Sequence, residues 1–111
     1  MNFKIYPTPE FKKQFKRLYK KYPSLKDDLT NLIQTLRQKP ESGIYLGFNL
    51  YKIRLAISSK GKGKSGGARI ITYLVTEHKE IYLVYIYDKS QLENITKEQL
   101  MTLLKNAGLK N

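Results

Sequence analysis

The chain has 111 residues, enough for one core and too few for two, and its ordinary 41% apolar content speaks against disorder. It carries 21 Lys and Arg against 9 Asp and Glu, a net charge of +12; so one-sided a charge points to a polyanionic partner, nucleic acid first, with an acidic protein or a membrane surface as weaker alternatives. There is no Cys, which excludes disulfides and thiol catalysis, and no apolar run approaches the roughly 20 residues that span a bilayer.

The N-terminus, MNFKIYPTPEF, lacks the roughly 7–15-residue apolar core of a signal peptide, so a cytoplasmic location without a membrane partner is expected. Residues 2–6 alternate, Phe3 and Ile5 against Lys4 and Tyr6, which predicts a short strand ended by Pro7. Thr8-Pro9 reads as an N-cap followed by the first helical residue. Phe11, Phe15, Leu18, Tyr19 and Tyr22 then share one helical face. Lys12, Lys13, Lys16, Arg17, Lys20 and Lys21 share the other, a solvated face that could also meet RNA backbone. Pro23 breaks the chain. Ser24 caps a second helix whose stripe is Leu25, Leu29, Leu32, Ile33 and Leu36, and Pro40 and Gly43 end it. Helices joined so tightly predict an antiparallel hairpin.

Residues 44–50, IYLGFNL, read as a loop returning to the sheet edge. Tyr51 to Ile57 alternates as a strand, with Tyr51, Ile53, Leu55 and Ile57 on one side and Lys52, Arg54 and Ala56 on the other. A Gly/Ser/Lys loop, 58–67, leads into a β-branched strand from Ala68 to Val75. After a polar turn at 77–79, Ile81 to Tyr87 is apolar enough to be a central strand. Thr96 and Gln99 form a capping box for a last helix with Leu100, Leu103 and Leu104, closed by Gly108. The expected architecture is α+β, one domain: an antiparallel sheet of about four strands, a helical hairpin on one face and a short C-terminal helix. The expected core is Phe11, Phe15, Leu18, Leu29, Leu32, Ile33, Leu36, Ile53, Leu55, Leu74, Leu83 and Leu104.

Charge concentrates in residues 51–73, and no acid occurs between Glu41 and Glu77. Gly63-Lys64-Ser65 invites a phosphate-loop reading, but the motif needs Gly where Ser58 stands and a helix where a strand follows. Lys60, Lys62 and Lys64 read instead as a flexible phosphate clamp, so they are candidate RNA contacts. His78 stands alone in a turn beside Glu77 and Glu80, and the acids are scattered, so neither metal nor cofactor is expected. What remains is chemistry by cations. Cleaving RNA requires deprotonation of a 2′-OH, stabilisation of charge at phosphorus and protonation of the leaving 5′-oxygen. Lys52 and Arg54 sit about 6.5–7 Å apart on one strand face, a span that can grip a phosphate, and Arg69 joins them if its strand pairs with theirs. The bland alternative is three exposed strand cations that discourage edge aggregation. Tyr82, Tyr85 and Tyr87 are expected mostly in the core, while any tyrosine exposed at the sheet surface could stack on bases; Tyr87 is a candidate RNA contact.

These segments, YKIRL, the glycine-rich loop, SGGARIITY and YLVYIYDKSQLENIT, resemble the RelE superfamily of bacterial toxin–antitoxin toxins. The similarity is greatest to its HigB-like branch, in which a loop ending GKSGG-x-R leads into a strand and a later Y-x-K precedes a short helix. It covers nearly the whole chain and is strongest over residues 51–95. It implies a small α+β domain and metal-independent endoribonuclease activity on mRNA in the ribosomal A site. In that reaction the 2′-OH attacks the adjacent phosphate, and the ribosome helps to place the substrate. It also implies a cognate antitoxin that covers or distorts the site. Family catalytic positions fall on Lys52, Arg54, Arg69 and Lys89, with Arg69 the principal phosphate ligand. The chain departs from the family pattern in having Ser90 in place of an arginine and, approximately, Thr96 in place of a tyrosine. Lys52, Lys89 and Tyr87 therefore stand as alternative general bases. ParE-like proteins, which share the fold and inhibit DNA gyrase by binding, are one alternative reading; a non-catalytic RNA-binding module is another.

Overall fold

The structure, a computed structural model, describes residues 2–92 and 94–109. In chain order it holds β1 (Lys4–Pro7), α1 (Pro9–Lys21), α2 (Leu25–Gln38), β2 (Ile44–Gly47), β3 (Leu50–Leu55), β4 (Ala68–Val75), β5 (Glu80–Asp88) and α3 (Lys97–Asn106). The strands form one sheet in the order β1-β5-β4-β3-β2.

Two expectations about this sheet need correcting. It has five strands, because residues 44–47 are a strand and not a loop; they pair with β3 through a tight turn at Phe48 and Asn49. It is also mixed, because β1 runs parallel to β5 while the other neighbours are antiparallel. The α1–α2 hairpin carries the chain from β1 to β2 at the opposite edge, and the antiparallel run through β3 and β4 returns it until β5 lies beside β1 in the same direction.

The helices start where the sequence says they should. The Thr8 hydroxyl accepts from Phe11 N–H at 3.2 Å, and it donates to the Val84 carbonyl at 3.2 Å, tying the start of α1 to the sheet. Thr96 and Gln99 make the reciprocal bonds of a capping box. Ser24 differs. It stands at the N-cap of α2 but makes no side-chain cap bond; its hydroxyl binds Asp28 and Ser59 instead.

One cluster of buried side chains fills the space between the sheet and the α1–α2 hairpin. Phe11, Leu18, Leu25 and Leu36 meet Ile53, Leu55, Ile70, Leu74, Leu83 and Ile86 there. Of the expected core, Phe15, Leu29, Leu32 and Ile33 are only half-buried, on the outward shoulder of the helices. A second cluster lies on the opposite face, where Leu100 and Leu104 of α3 cover Leu50, Ile71, Tyr73 and Val84. β5 serves both faces through an irregularity. Ile71 pairs with Tyr85 and Thr72 with Leu83, which leaves Val84 as an extra residue. That bulge resets the alternation, so Leu83 and Ile86 join the first cluster while Val84 and Tyr87 join the second. It explains why IYLVYIY shows no period of two.

Candidate functional site

The side of the sheet away from α1 and α2 is only partly covered by α3, and the cations collect on the rest. Arg54 of β3 is the register partner of Arg69 of β4, and Arg69 is the partner of Tyr87 of β5. Opposed residues on neighbouring strands share a face. The three side chains therefore form one row, about 10 Å long at the usual strand spacing. Lys52 stands in the next row, opposite Ile71, which in turn faces Tyr85. The conditional expectation that Arg69 joins Lys52 and Arg54 is met by this register. Lys52 and Arg54 also line the mouth of a cleft of about 750 Å³ between β3 and α2.

Arg69 does not fit the bland alternative of an exposed strand cation, since it is only 4% exposed. Its Nη1 donates to the Lys64 carbonyl at 2.8 Å and the Ala68 carbonyl at 3.1 Å. Burial, and then the charge of Arg54, pulls its pKa down, with Tyr87 acting the other way. A guanidinium stays charged through such shifts. Among the described residues no carboxylate pairs with it. A buried charge without a counter-ion is unfavourable.

Tyr87 is also nearly sealed at 4% exposure, and its hydroxyl has no hydrogen-bond partner among the described residues. Burial pushes the phenol up, and the neighbouring Arg69 offsets only part of this. It is held protonated at neutral pH. Of the sequence-level candidates for general base, Tyr87 is thereby suited to donate and not to accept a proton.

Lys60 lies elsewhere. Its ammonium turns inward to the Asp88 carboxylate at 2.7 Å, with side-chain exposures of 12% and 0%, and sits 5.3 Å from the centre of the Tyr22 ring. Asp88 also accepts from the Tyr22 hydroxyl at 2.7 Å, the Ser90 hydroxyl at 2.8 Å and the Ser90 N–H at 3.0 Å. Burial alone would raise the Asp88 carboxyl. The bonds from Lys60, Ser90 and Tyr22 outweigh it and hold the group well below the carboxylate range. The same pair raises Lys60 against the opposing effect of burial. Nearby, Asp28 accepts from the Ser58 N–H at 2.9 Å and from the Ser58 and Ser24 hydroxyls. Together these bonds fasten the turn Ser58–Lys60 to the ends of both long helices.

Past that turn, Lys62 and Lys64 are exposed. The loop closes at Gly67, where any side chain would collide with the Leu55 carbonyl. Lys89 follows Asp88, and its N–H donates to the Gly67 carbonyl at 3.0 Å, which places it beside the loop end and the head of β4. Lys52 Nζ lies 3.5 Å from Asn94 Oδ1. The structure thus gathers Lys52, Arg54, Arg69 and Tyr87 on one face, sets Lys64 and Lys89 at its margin, and separates Lys60. Asp88, Tyr22, Asp28 and Asn94 were not singled out from sequence. Asp88-Lys89-Ser90 at a strand end was the one available signal, an Asp turn in which the carboxylate caps its own backbone two residues on.

Among the described residues no group of three or more His, Cys, Asp or Glu could hold a metal ion, and no helix is long and apolar enough to cross a membrane. The family model described as "RelE toxin of RelE / RelB toxin-antitoxin system" matches residues 5–110. The fold is similar to that of the E. coli toxin RelE, solved in the free state as a double arginine-to-alanine mutant. The TM-score is 0.64 with 14% identity over 96% of this chain and 98% of that one. At that identity the likeness speaks for the fold alone.

Proposed function

The chain belongs to the RelE toxin family, and from that premise we propose that it is a metal-independent endoribonuclease that cleaves mRNA in the ribosomal A site and is silenced by its cognate antitoxin. One observation carries the reading: Arg69 is a buried, charged guanidinium without a carboxylate partner among the described residues, flanked in one row by Arg54 and Tyr87. Such a row matches a phosphodiester in sign and in span.

In the proposed reaction the 2′-oxygen loses its proton and forms a bond to the adjacent phosphorus. The bond from phosphorus to the 5′-oxygen then breaks, and that oxygen takes up a proton. The products are a 2′,3′-cyclic phosphate and a 5′-hydroxyl. Arg69 and Arg54 stabilise the extra negative charge as the pentacoordinate phosphorus forms. Tyr87, kept protonated, donates to a phosphoryl or leaving oxygen. Lys52, Lys64 and Lys89 hold the flanking backbone; Lys52 and Lys89 remain the candidates for base. Lys60 serves the fold in this scheme and does not touch RNA.

The test is translation of a defined mRNA in a cell-free system with mapping of new 5′ ends. Breaks at the A-site codon are expected for the native chain and not for Arg69→Ala. Undiminished cleavage by a folded Arg69→Ala protein would remove Arg69 from the site.

A further inference from the structure

The edge strand β2 carries an apolar strip that neither core cluster buries. Ile44 is 53% exposed and Phe48 43% exposed, while Leu46 between them is half-buried against the second cluster. Ile44 is the register partner of Lys52, so its side chain stands on the Lys52 face. Leu46 lies at a register shift in β2, and its packing against the second cluster, with Leu50, puts it on that face too. Phe48 lies against the start of α3, with Lys97 Nζ 4.8 Å from its ring centroid. The strip therefore runs on from the Lys52 and Arg54 region. Tyr45, though exposed, pairs with Tyr51 on the other face and is not part of it.

Phe48 is an odd choice for its position. It has φ 55 and Asn49 after it has φ 63, both left-handed. Two-residue turns of this hand favour Asn and Gly, and a bulky side chain is sterically disfavoured in them. The chain accepts that strain and leaves Phe48 43% exposed, with Lys97 against its ring. Strain of this kind persists where the strained residue is used.

Charge says what the strip would meet. No acid occurs between Glu41 and Glu77, Lys52 and Arg54 stand at one end of the strip, and Lys97 stands at the other. Cations interleaved with flat apolar surface suit single-stranded nucleic acid, whose phosphates take the cations while its bases take the ring. The strip is also continuous with the row proposed to hold the scissile phosphate. We propose that Ile44, Leu46 and Phe48 form a base-stacking ledge for nucleotides flanking the cleaved bond, with Phe48 the stacking ring. This rests on the nuclease reading above and adds where the neighbouring bases lie.

The test uses a fluorescein-labelled single-stranded RNA with 2′-O-methyl groups, which binds without being cut. Phe48→Gly removes the ring and relieves the backbone. It should lower RNA affinity roughly tenfold or more while the melting temperature holds or rises. Phe48→Tyr keeps a stacking ring and should bind within about twofold of the native chain. Opposite movement of affinity and stability is something a merely structural Phe48 would not give. Native affinity in Phe48→Gly overturns the ledge and leaves the nuclease reading standing. If that variant instead loses affinity only for the cognate antitoxin, the strip belongs to a protein interface and the ledge is equally overturned. A native chain that binds no such RNA at low salt also overturns the ledge, while the nuclease reading is judged separately by the A-site cleavage assay above.

Discussion

Two cations turn inward within a few residues of the same loop, and their charges are met in opposite ways. Lys60 sits on Asp88, which also accepts from Tyr22 and Ser90, so its charge is met from within. Arg69 is buried more deeply, on the other face of the sheet, yet its hydrogen-bond partners among the described residues are carbonyl oxygens, those of Lys64 and Ala68. A cation satisfied by its own fold has little left to offer a ligand. A cation left with dipoles and no counter-charge is raised in free energy until an anion arrives. From sequence the two look alike, a Lys and an Arg bracketing a glycine-rich loop. Their partners, not their neighbours in sequence, tell them apart, and on the proposed reading one is an anchor and the other the site.

If that contrast is right, substitutions at the two positions should diverge. The largest effect belongs to Arg69→Met: cleavage should fall by about 10²–10³-fold, as when a transition-state charge stabiliser is lost. The melting temperature should hold or rise, because a buried charge with no carboxylate partner among the described residues has gone. Lys60→Met should do the reverse. It strands the Asp88 carboxylate in the interior, a loss of about 3–5 kcal/mol, seen as a melting temperature lower by roughly 10 °C or more. Cleavage per folded molecule, assayed well below that temperature, should stay within about threefold of native. If Lys60→Met kills cleavage without loss of stability, the contrast between anchor and site fails.

Next in size is Tyr87→Phe. Losing a proton or hydrogen-bond donor should slow cleavage roughly tenfold to a hundredfold. The fold should not suffer, since the hydroxyl removed has no partner among the described residues. The anchor also makes a prediction in pH. The Asp88 carboxyl is depressed in the folded state from an ordinary value of 3.8. Its stabilisation is therefore present above about pH 4 and is lost as pH falls further, toward the folded-state value. Melting temperature against pH should drop below about pH 4 in the native protein and less steeply in Asp88→Asn. Some slope should remain, because Asp28 is lowered as well. The smallest effects belong to the loop: Lys62→Ala and Lys64→Ala should each weaken RNA binding a few-fold. Each should also flatten the salt dependence of log affinity by about 0.7, if each Lys neutralises one phosphate of a single strand.

Much of the fold was legible because local chemistry and tertiary structure agree. Thr8-Pro9 and Thr96 with Gln99 announce helices that form where they say. β2 was not legible, because Gly47 and Asn49 inside IYLGFNL read as loop residues; they turn out to build the tight turn that makes the strand possible. The direction of β1 was hidden too, since a four-residue alternating strand looks the same whether its partner runs with it or against it. The candidate site was half legible. Strand alternation puts Lys52 and Arg54 on one face, and the β3–β4 register adds Arg69. Burial of a single Arg or Lys depends on which distant group arrives beside it. Nothing near Lys60 in sequence foretells Asp88, and nothing near Arg69 foretells that no described carboxylate reaches it.

The most direct measurement is primer extension on mRNA translated in a cell-free system, with the native chain, Arg69→Met and Lys60→Met in parallel. New 5′ ends at the A-site codon should appear with the native chain and with Lys60→Met and be absent with Arg69→Met. Arrested translation with no breaks in any lane would contradict the nuclease reading, and a DNA supercoiling assay would then test gyrase inhibition on the same fold.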